Sequence, residues 1–132
     1  MPPEPDLMGD IPRGRILVVD DDESIRQIVR IFLSDEGYEV LEATNGKVAL
    51  ELAGGFRPDL ILLDLRMPVM DGWEFARRYE LSPGEHAPIV ACVAALDVAF
   101  ECAGLEHAGI LSKPFDLDDL LEAVRSHLPL VR

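Results

Sequence analysis

Basic residues are scarce in this chain. Twelve Lys and Arg stand against 25 Asp and Glu, a formal net charge of −13 at pH 7. Such a field repels phosphate backbones and anionic lipid surfaces, so direct nucleic-acid or membrane binding is not expected. Cysteine is nearly absent. Cys92 and Cys102 are the only two, both amid apolar neighbours, and they read as buried free thiols rather than a bridge or a metal site, which points to a reducing cytoplasm. Long apolar runs are missing as well: a membrane span needs roughly 18 such residues. The longest stretch, residues 87–96, carries Pro88 inside it. The start, Met1-Pro2-Pro3-Glu4-Pro5-Asp6, has neither the basic nor the apolar region of a secretory signal. Residues 1–13 read as a flexible acidic tail. What is present, 132 residues of which 48% are hydrophobic and 28% charged, suits one globular domain over residues 14–132 and excludes a disordered chain.

From Arg15 onward, short β-like runs alternate with helical ones. Ile16-Leu17-Val18-Val19 is continuously apolar, as expected of a strand buried on both faces, and it ends in Asp20, Asp21 and Asp22. Ile25, Ile28, Val29, Phe32 and Leu33 then recur at helical spacing and predict one apolar stripe, on a helix ending near Gly37. Residues 38–41 predict a second strand, and Val48, Ala49, Leu52 and Ala53 a second helix closed by Gly54-Gly55. Leu60-Ile61-Leu62-Leu63 predicts a third strand, ending on Asp64. Asp71-Gly72 reads as a helix start, followed by a helix with Trp73, Ala76 and Tyr79. Residues 88–93 and 109–112 predict strands four and five, with a short helical stretch around residues 97–105 between them. Asp116, with Asp119 three residues on, reads as the cap of a last helix whose core stripe is Leu117, Leu120, Leu121, Val124 and Leu128. Five β-α units with buried strands imply a parallel sheet covered by helices on both faces.

In such sheets functional groups gather beyond the carboxyl ends of the strands, at the switch point in strand order. Those ends carry Asp20, Asp21 and Asp22, Asp64, and Lys113. Convergent carboxylates repel unless a hard cation sits among them, and Mg²⁺ prefers a few carboxylate oxygens with water and phosphate. This composition points to metal-assisted phosphoryl transfer onto an aspartate, with Asp64 as nucleophile and Lys113 holding one phosphoryl oxygen. Met67, Met70, Trp73 and Phe75 read as core or partner surface, and His86, His107 and His127 have no metal-ligand spacing.

At these residues the sequence resembles the receiver domain of bacterial two-component response regulators, from Arg15 to about Leu128. Ile16-Leu17-Val18-Val19-Asp20-Asp21-Asp22 is similar to the family's first strand and acidic pocket. The stretch from Asp59 through Leu63-Asp64-Leu65-Arg66-Met67-Pro68 to Asp71-Gly72 is similar to its phosphoacceptor strand and loop, and Ser112-Lys113-Pro114-Phe115 to its lysine signature. The resemblance implies a flavodoxin-like, doubly wound sheet of strand order 2-1-3-4-5, of the stand-alone chemotaxis-regulator type. It implies phosphorylation of Asp64 by a sensor histidine kinase or phosphotransfer protein, and output through contacts with a protein target. It further implies Mg²⁺ held by Asp21, Asp64 and the backbone carbonyl of Arg66, with Asp20 behind them or bound through water.

Two positions depart from that family. The slot at the end of strand four that normally carries Ser or Thr falls on Val93, and the Tyr or Phe three residues before the lysine is Ile110. The usual switch couple lacks both parts, so the expectation is a weakened switch, or a phosphate sink with little conformational output. An aspartyl-phosphate phosphatase or phosphotransferase of the haloacid-dehalogenase type wants a second aspartate two residues after the nucleophile, where this chain has Arg66. A flavin mononucleotide binder of the same topology wants a first loop rich in hydroxyls and glycine, and three aspartates there repel a phosphate. A switch rather than a turnover enzyme is the expectation.

Overall fold

A computed structural model describes residues 12–94 and 109–128. The stretch predicted helical around residues 97–105, together with Cys102 and His107, lies outside the described residues, as do residues 1–11 of the expected tail. Five strands, β1 (Arg15–Val19), β2 (Glu39–Ala43), β3 (Leu60–Asp64), β4 (Ile89–Ala94) and β5 (Gly109–Lys113), alternate with four described helices. The helices are α1 (Glu23–Asp35), α2 (Gly46–Phe56), α3 (Gly72–Leu81) and α4 (Leu117–His127). All strand pairs are parallel and the order is β2-β1-β3-β4-β5, as the sequence pattern implies.

The continuous apolar runs are explained by two cores, one on each sheet face. Successive strand side chains point to opposite faces, so a strand covered on both sides has no position free for a polar residue. Leu17, Val19, Ile61, Leu63, Ala91 and Val93 meet Ala49 and Ala53 of α2 and Phe75, Ala76 and Tyr79 of α3. The alternate set, Ile16, Val18, Leu60, Leu62, Val90 and Cys92, meets Val29 and Leu33 of α1 and Leu120 and Val124 of α4. Each fully buried Leu, Ile or Val among them contributes about 1.5–3 kcal/mol relative to exposure.

Three expectations are corrected. The α1 stripe is narrower than its spacing suggests: Val29 and Leu33 are buried, whereas Ile28 is 56% exposed and Ile31, beside it, 49%. In α4, Leu117, the first residue after the cap, is 41% exposed and outside the core, while Leu120 and Val124 are fully buried in it. Gly54-Gly55 does not close α2. The helix runs through both and ends at Arg57, which takes the left-handed conformation at φ 57°. Asp116 and Asp119 do form the reciprocal capping box expected of them.

A Cβ added at Gly54 or Gly55 would meet nothing within 4 Å. Gly54→Ala and Gly55→Ala should therefore each raise stability by about 0.5–1 kcal/mol through helix propensity and a less free unfolded chain. Urea unfolding followed by circular dichroism checks it, and a loss in both variants would contradict a continuous α2.

Candidate functional site

β1 and β3 are neighbours in the sheet, with Val19 paired to Leu63, yet their onward connections go to opposite faces, α1 to one and α2 and α3 to the other. This is the switch point, where functional groups of such sheets gather. Asp20 follows β1 and Asp64 ends β3. One carboxylate oxygen from each of Asp20, Asp21 and Asp64 falls within a set whose members all lie within 4.8 Å of one another. Lys113, the last residue of β5, reaches across β4: its Nζ donates to Asp64 Oδ1 at 3.1 Å and stands 3.9 Å from Asp20 Oδ2.

Asp20 is fixed through its N–H, its carbonyl and one carboxylate oxygen. Its N–H donates to the Ala43 carbonyl at 3.1 Å, its Oδ1 accepts the Asp22 N–H at 2.9 Å, and its carbonyl accepts from Arg26 Nη1 at 2.7 Å. It is the one charged residue buried among those described. Burial, with the charges of Asp64 and Asp21 added, pushes its carboxyl up to about 6 against the pull of the Asp22 N–H and Lys113. Lys113 is itself raised: burial works to lower it, but the hydrogen bond to Asp64 and the charges of Asp64 and Asp20 outweigh that.

Asp22 does not join the cluster. Its side chain caps α1, accepting the N–H groups of Ser24 at 2.9 Å and Ile25 at 3.1 Å. Asp71 caps α3 in the same way. The loop between β3 and α3 is tied at both ends, by Gly72 N–H to the Leu65 carbonyl and Gly46 N–H to the Met70 carbonyl, each at 2.9 Å. Gly72 is required here: a Cβ would lie 2.6 Å from the Asp64 carbonyl oxygen. Between the ties, Val69 sits exposed at φ 71°, costly for a β-branched residue. Arg66 lies exposed with its guanidinium carbon 5.6 Å above the Trp73 ring.

The two positions where the resemblance expects a hydroxyl and an aromatic are apolar, Val93 and Ile110. Asp64 pairs with Cys92 across β3 and β4, which puts Val93 one step beyond, paired in turn with Ser112 next to Lys113. Val93 is 2% exposed and packs in the α2-α3 core; Ile110 is 44% exposed. Cys92 is buried and burial pushes its thiol up to about 12, so it packs as an inert neutral group. His86 and His127 are bound locally, to the carbonyls of Ser82 and Ala123. A cleft of about 800 Å³ lined by Arg57, Asp59, Tyr79 and His86 lies at the amino ends of β3 and β4, away from the carboxylates. The sequence reading passed over Arg26. No spacing marks it, because its partners are the Asp20 carbonyl and Glu42, 16 residues on.

An open parallel sheet with convergent carboxylates and a lysine at its switch point defines a signalling domain of the receiver class. The sequence profile of the response regulator receiver domain matches residues 16–125. Sporulation initiation phosphotransferase F of Bacillus subtilis is 37% identical over 117 residues, covering 88% of this chain and 94% of that protein. The response regulator MprA of Mycolicibacterium vanbaalenii is 42% identical and covers 86% of this chain, which spans 50% of MprA's length. Among solved structures, the chemotaxis response regulator CheY4 of Vibrio cholerae superposes with a TM-score of 0.79 at 36% identity, over 87% of this chain and 98% of that one. The chain belongs to the response regulator receiver domain family, the phosphoacceptor domains of two-component signalling. No helix of the described residues is long and apolar enough to cross a membrane.

The raised Asp20 carboxyl gives a stability prediction. A group near 6 when folded and 3.8 ordinarily binds its proton more readily in the folded state. Its charged form therefore opposes folding at neutral pH, and the cost fades as pH falls through the folded value toward the unfolded one. In chelator, Asp20→Asn should be more stable than the parent at neutral pH by about 1–2 kcal/mol, discounting roughly 3 kcal/mol for solvent screening. The gap should close by about pH 4. Thermal melts across that range decide it, and equal stability near pH 7 would contradict a cost for the buried, crowded Asp20 carboxylate.

Proposed function

We propose that Asp64 accepts a phosphoryl group from the phosphohistidine of a partner kinase or phosphotransfer protein, and that the domain, residues 14–132, signals through protein contacts in the cytoplasm. The observation that carries this reading is the Lys113–Asp64 contact at 3.1 Å inside the Asp20, Asp21 and Asp64 cluster. An Asp64 carboxylate oxygen attacks phosphorus, the P–N bond breaks, and the imidazole leaves with the bonding pair. Lys113, already aimed at Oδ1, exchanges the carboxylate for a phosphoryl oxygen and so stabilises the charge delivered to the site. The donor set is all oxygen, and burial together with the neighbouring carboxylates raises Asp20, which fits a hard dication. Mg²⁺ held by Asp21, Asp64 and the Arg66 carbonyl, with Asp20 behind them, would neutralise charge on the transferring group. Exposed Ile28 and Ile31 on α1, the helix that begins at the acidic turn, offer apolar ground to the donor protein.

The same site supports a weakened switch. Val93 is buried where a hydroxyl would meet the phosphoryl group, and Ile110 replaces the aromatic that follows it. Nothing from β4 then rewards the phosphorylated arrangement, so output stays near the acidic loops or the domain acts as a phosphate sink.

Two measurements test these readings. With acetyl phosphate and Mg²⁺, intact mass should show one added phosphoryl group on the parent and none on Asp64→Asn, which keeps the shape but lacks the nucleophilic oxygen; an adduct on the variant places the nucleophile elsewhere. Val93→Thr should lose stability alone, since its hydroxyl is buried, yet bind beryllofluoride with Mg²⁺ about tenfold more tightly through one charge-assisted hydrogen bond. Unchanged affinity, or large amide shifts in β4 and β5 of the parent on adding beryllofluoride, would overturn the weakened switch.

A further inference from the structure

The acidic turn carries a support that lies outside the cluster. Arg26 Nη1 donates to the Asp20 carbonyl at 2.7 Å and its Nε to Glu42 Oε1 at 3.2 Å. Arg30 Nε meets the other oxygen of Glu42 at 2.7 Å. The Arg26 side chain is only 11% exposed, so its guanidinium is held between α1 and β2 instead of moving in water. Glu42 is two-sided in the same sense, taking one arginine on each oxygen. A charge-assisted bond to a carbonyl is stronger than a neutral one, and the planar fork fixes direction as well as distance.

We propose that Arg26, held by Glu42, is a positioning residue for the cation site: it clamps the Asp20 carbonyl so that the turn presents Asp20 and Asp21 toward Asp64. This rests on the reading of that cluster as a Mg²⁺ site. The turn has three anchors, the Asp20 N–H on Ala43, the Asp22 N–H on Asp20 Oδ1, and the Asp20 carbonyl on Arg26. The first belongs to the sheet and the second to the turn itself; Asp22 ties the end of the turn to the first turn of α1, and Arg26 is the side chain that holds the Asp20 carbonyl. Without it the Asp20–Asp21 peptide loses the bond that fixes its carbonyl, and the two carboxylates that flank it are held less tightly in one geometry.

The sign of one measurement separates this role from its rivals. Arg26 is a positive charge beside an anionic pocket, so if its influence were only electrostatic, removing it would tighten Mg²⁺ binding. If it only stabilised the fold, Mg²⁺ affinity would not change. Positioning requires the opposite of the first and more than the second. Mg²⁺ titrations of the full chain, followed by amide shifts, should show Arg26→Met binding about tenfold more weakly, as supporting residues behind metal ligands commonly do. Arg26→Lys, which keeps the charge but cannot reach both the carbonyl and Glu42, should recover part of the loss. Glu42→Gln, which leaves Arg26 in place but removes its charged partner, should weaken binding by a smaller factor and serves if Arg26→Met folds poorly. In chelator, amide exchange at Asp22, whose N–H rests on Asp20, should quicken in Arg26→Met. Equal or tighter Mg²⁺ binding in Arg26→Met, with binding lost in Asp21→Ala, overturns this proposal alone. A parent that takes up no Mg²⁺, or an Asp21→Ala that binds as the parent does, overturns the cation-site reading and this proposal with it.

Discussion

The structure turns on carboxylates that the sheet forces together. Asp20 and Asp64 extend adjacent strands whose apolar residues are buried on both faces, so neither can withdraw without unpacking a core. Lys113 arrives from β5 as the counter-charge, and one ammonium against Asp20, Asp21 and Asp64 leaves the pocket short of positive charge. Burial, with that shortfall added to it, is why Asp20 holds its proton to about 6. The hydrophobic cores keep the pocket unsatisfied until charge of the right sign enters it. Stability given up at the site is supplied by the layers around it, the usual relation between a functional site and its scaffold.

The strands were legible because burial on both faces leaves a signal that does not depend on phase: a run of Ile, Leu and Val with no gap, ended by Asp or Lys. Helices were legible in position but less so in face. Ile28 fits the apolar stripe of α1 by spacing alone, yet α1 covers the sheet through Val29 and Leu33, and a helix at the edge of a layer buries a narrower arc than its composition permits. Gly54-Gly55 looked like a stop because glycine commonly ends helices, but nothing crowds either position and α2 continues to Phe56. Here tertiary packing of Ala53 and Phe56 overrides local preference.

The site was legible at its ligands and illegible at its supports. Asp20, Asp21, Asp64 and Lys113 stand at strand ends, where position alone marks them. Asp22 stands among them in sequence, but the first free N–H groups of α1 claim its oxygens. Which of three consecutive aspartates turns to the pocket and which caps the helix depends on where the helix begins, and that boundary is the least certain feature of a sequence. Arg26 was invisible for a different reason: its partners are a backbone carbonyl and a glutamate 16 residues away, and neither leaves a spacing to find.

These supports decide where a change at Asp64 can travel. Toward β4 the register offers Cys92 and Val93, apolar groups with no preference between a carboxylate and its phosphorylated form, while β5 meets Asp64 through Lys113. A group indifferent to both states cannot shift the balance between them. Toward α1 the path is polar and continuous, from Asp20 through its carbonyl to Arg26, and from Asp22 into the first turn of the helix. Toward α3 it runs through the Asp64 and Leu65 backbone, against which Gly72 is pressed too closely to admit a side chain. Charge placed on Asp64 therefore acts on two helix starts capped by aspartates, each sensitive to a nearby anion through the same free N–H groups. The polar contacts that surround Asp64 lead to the starts of α1 and α3 and, through Lys113, to the end of β5.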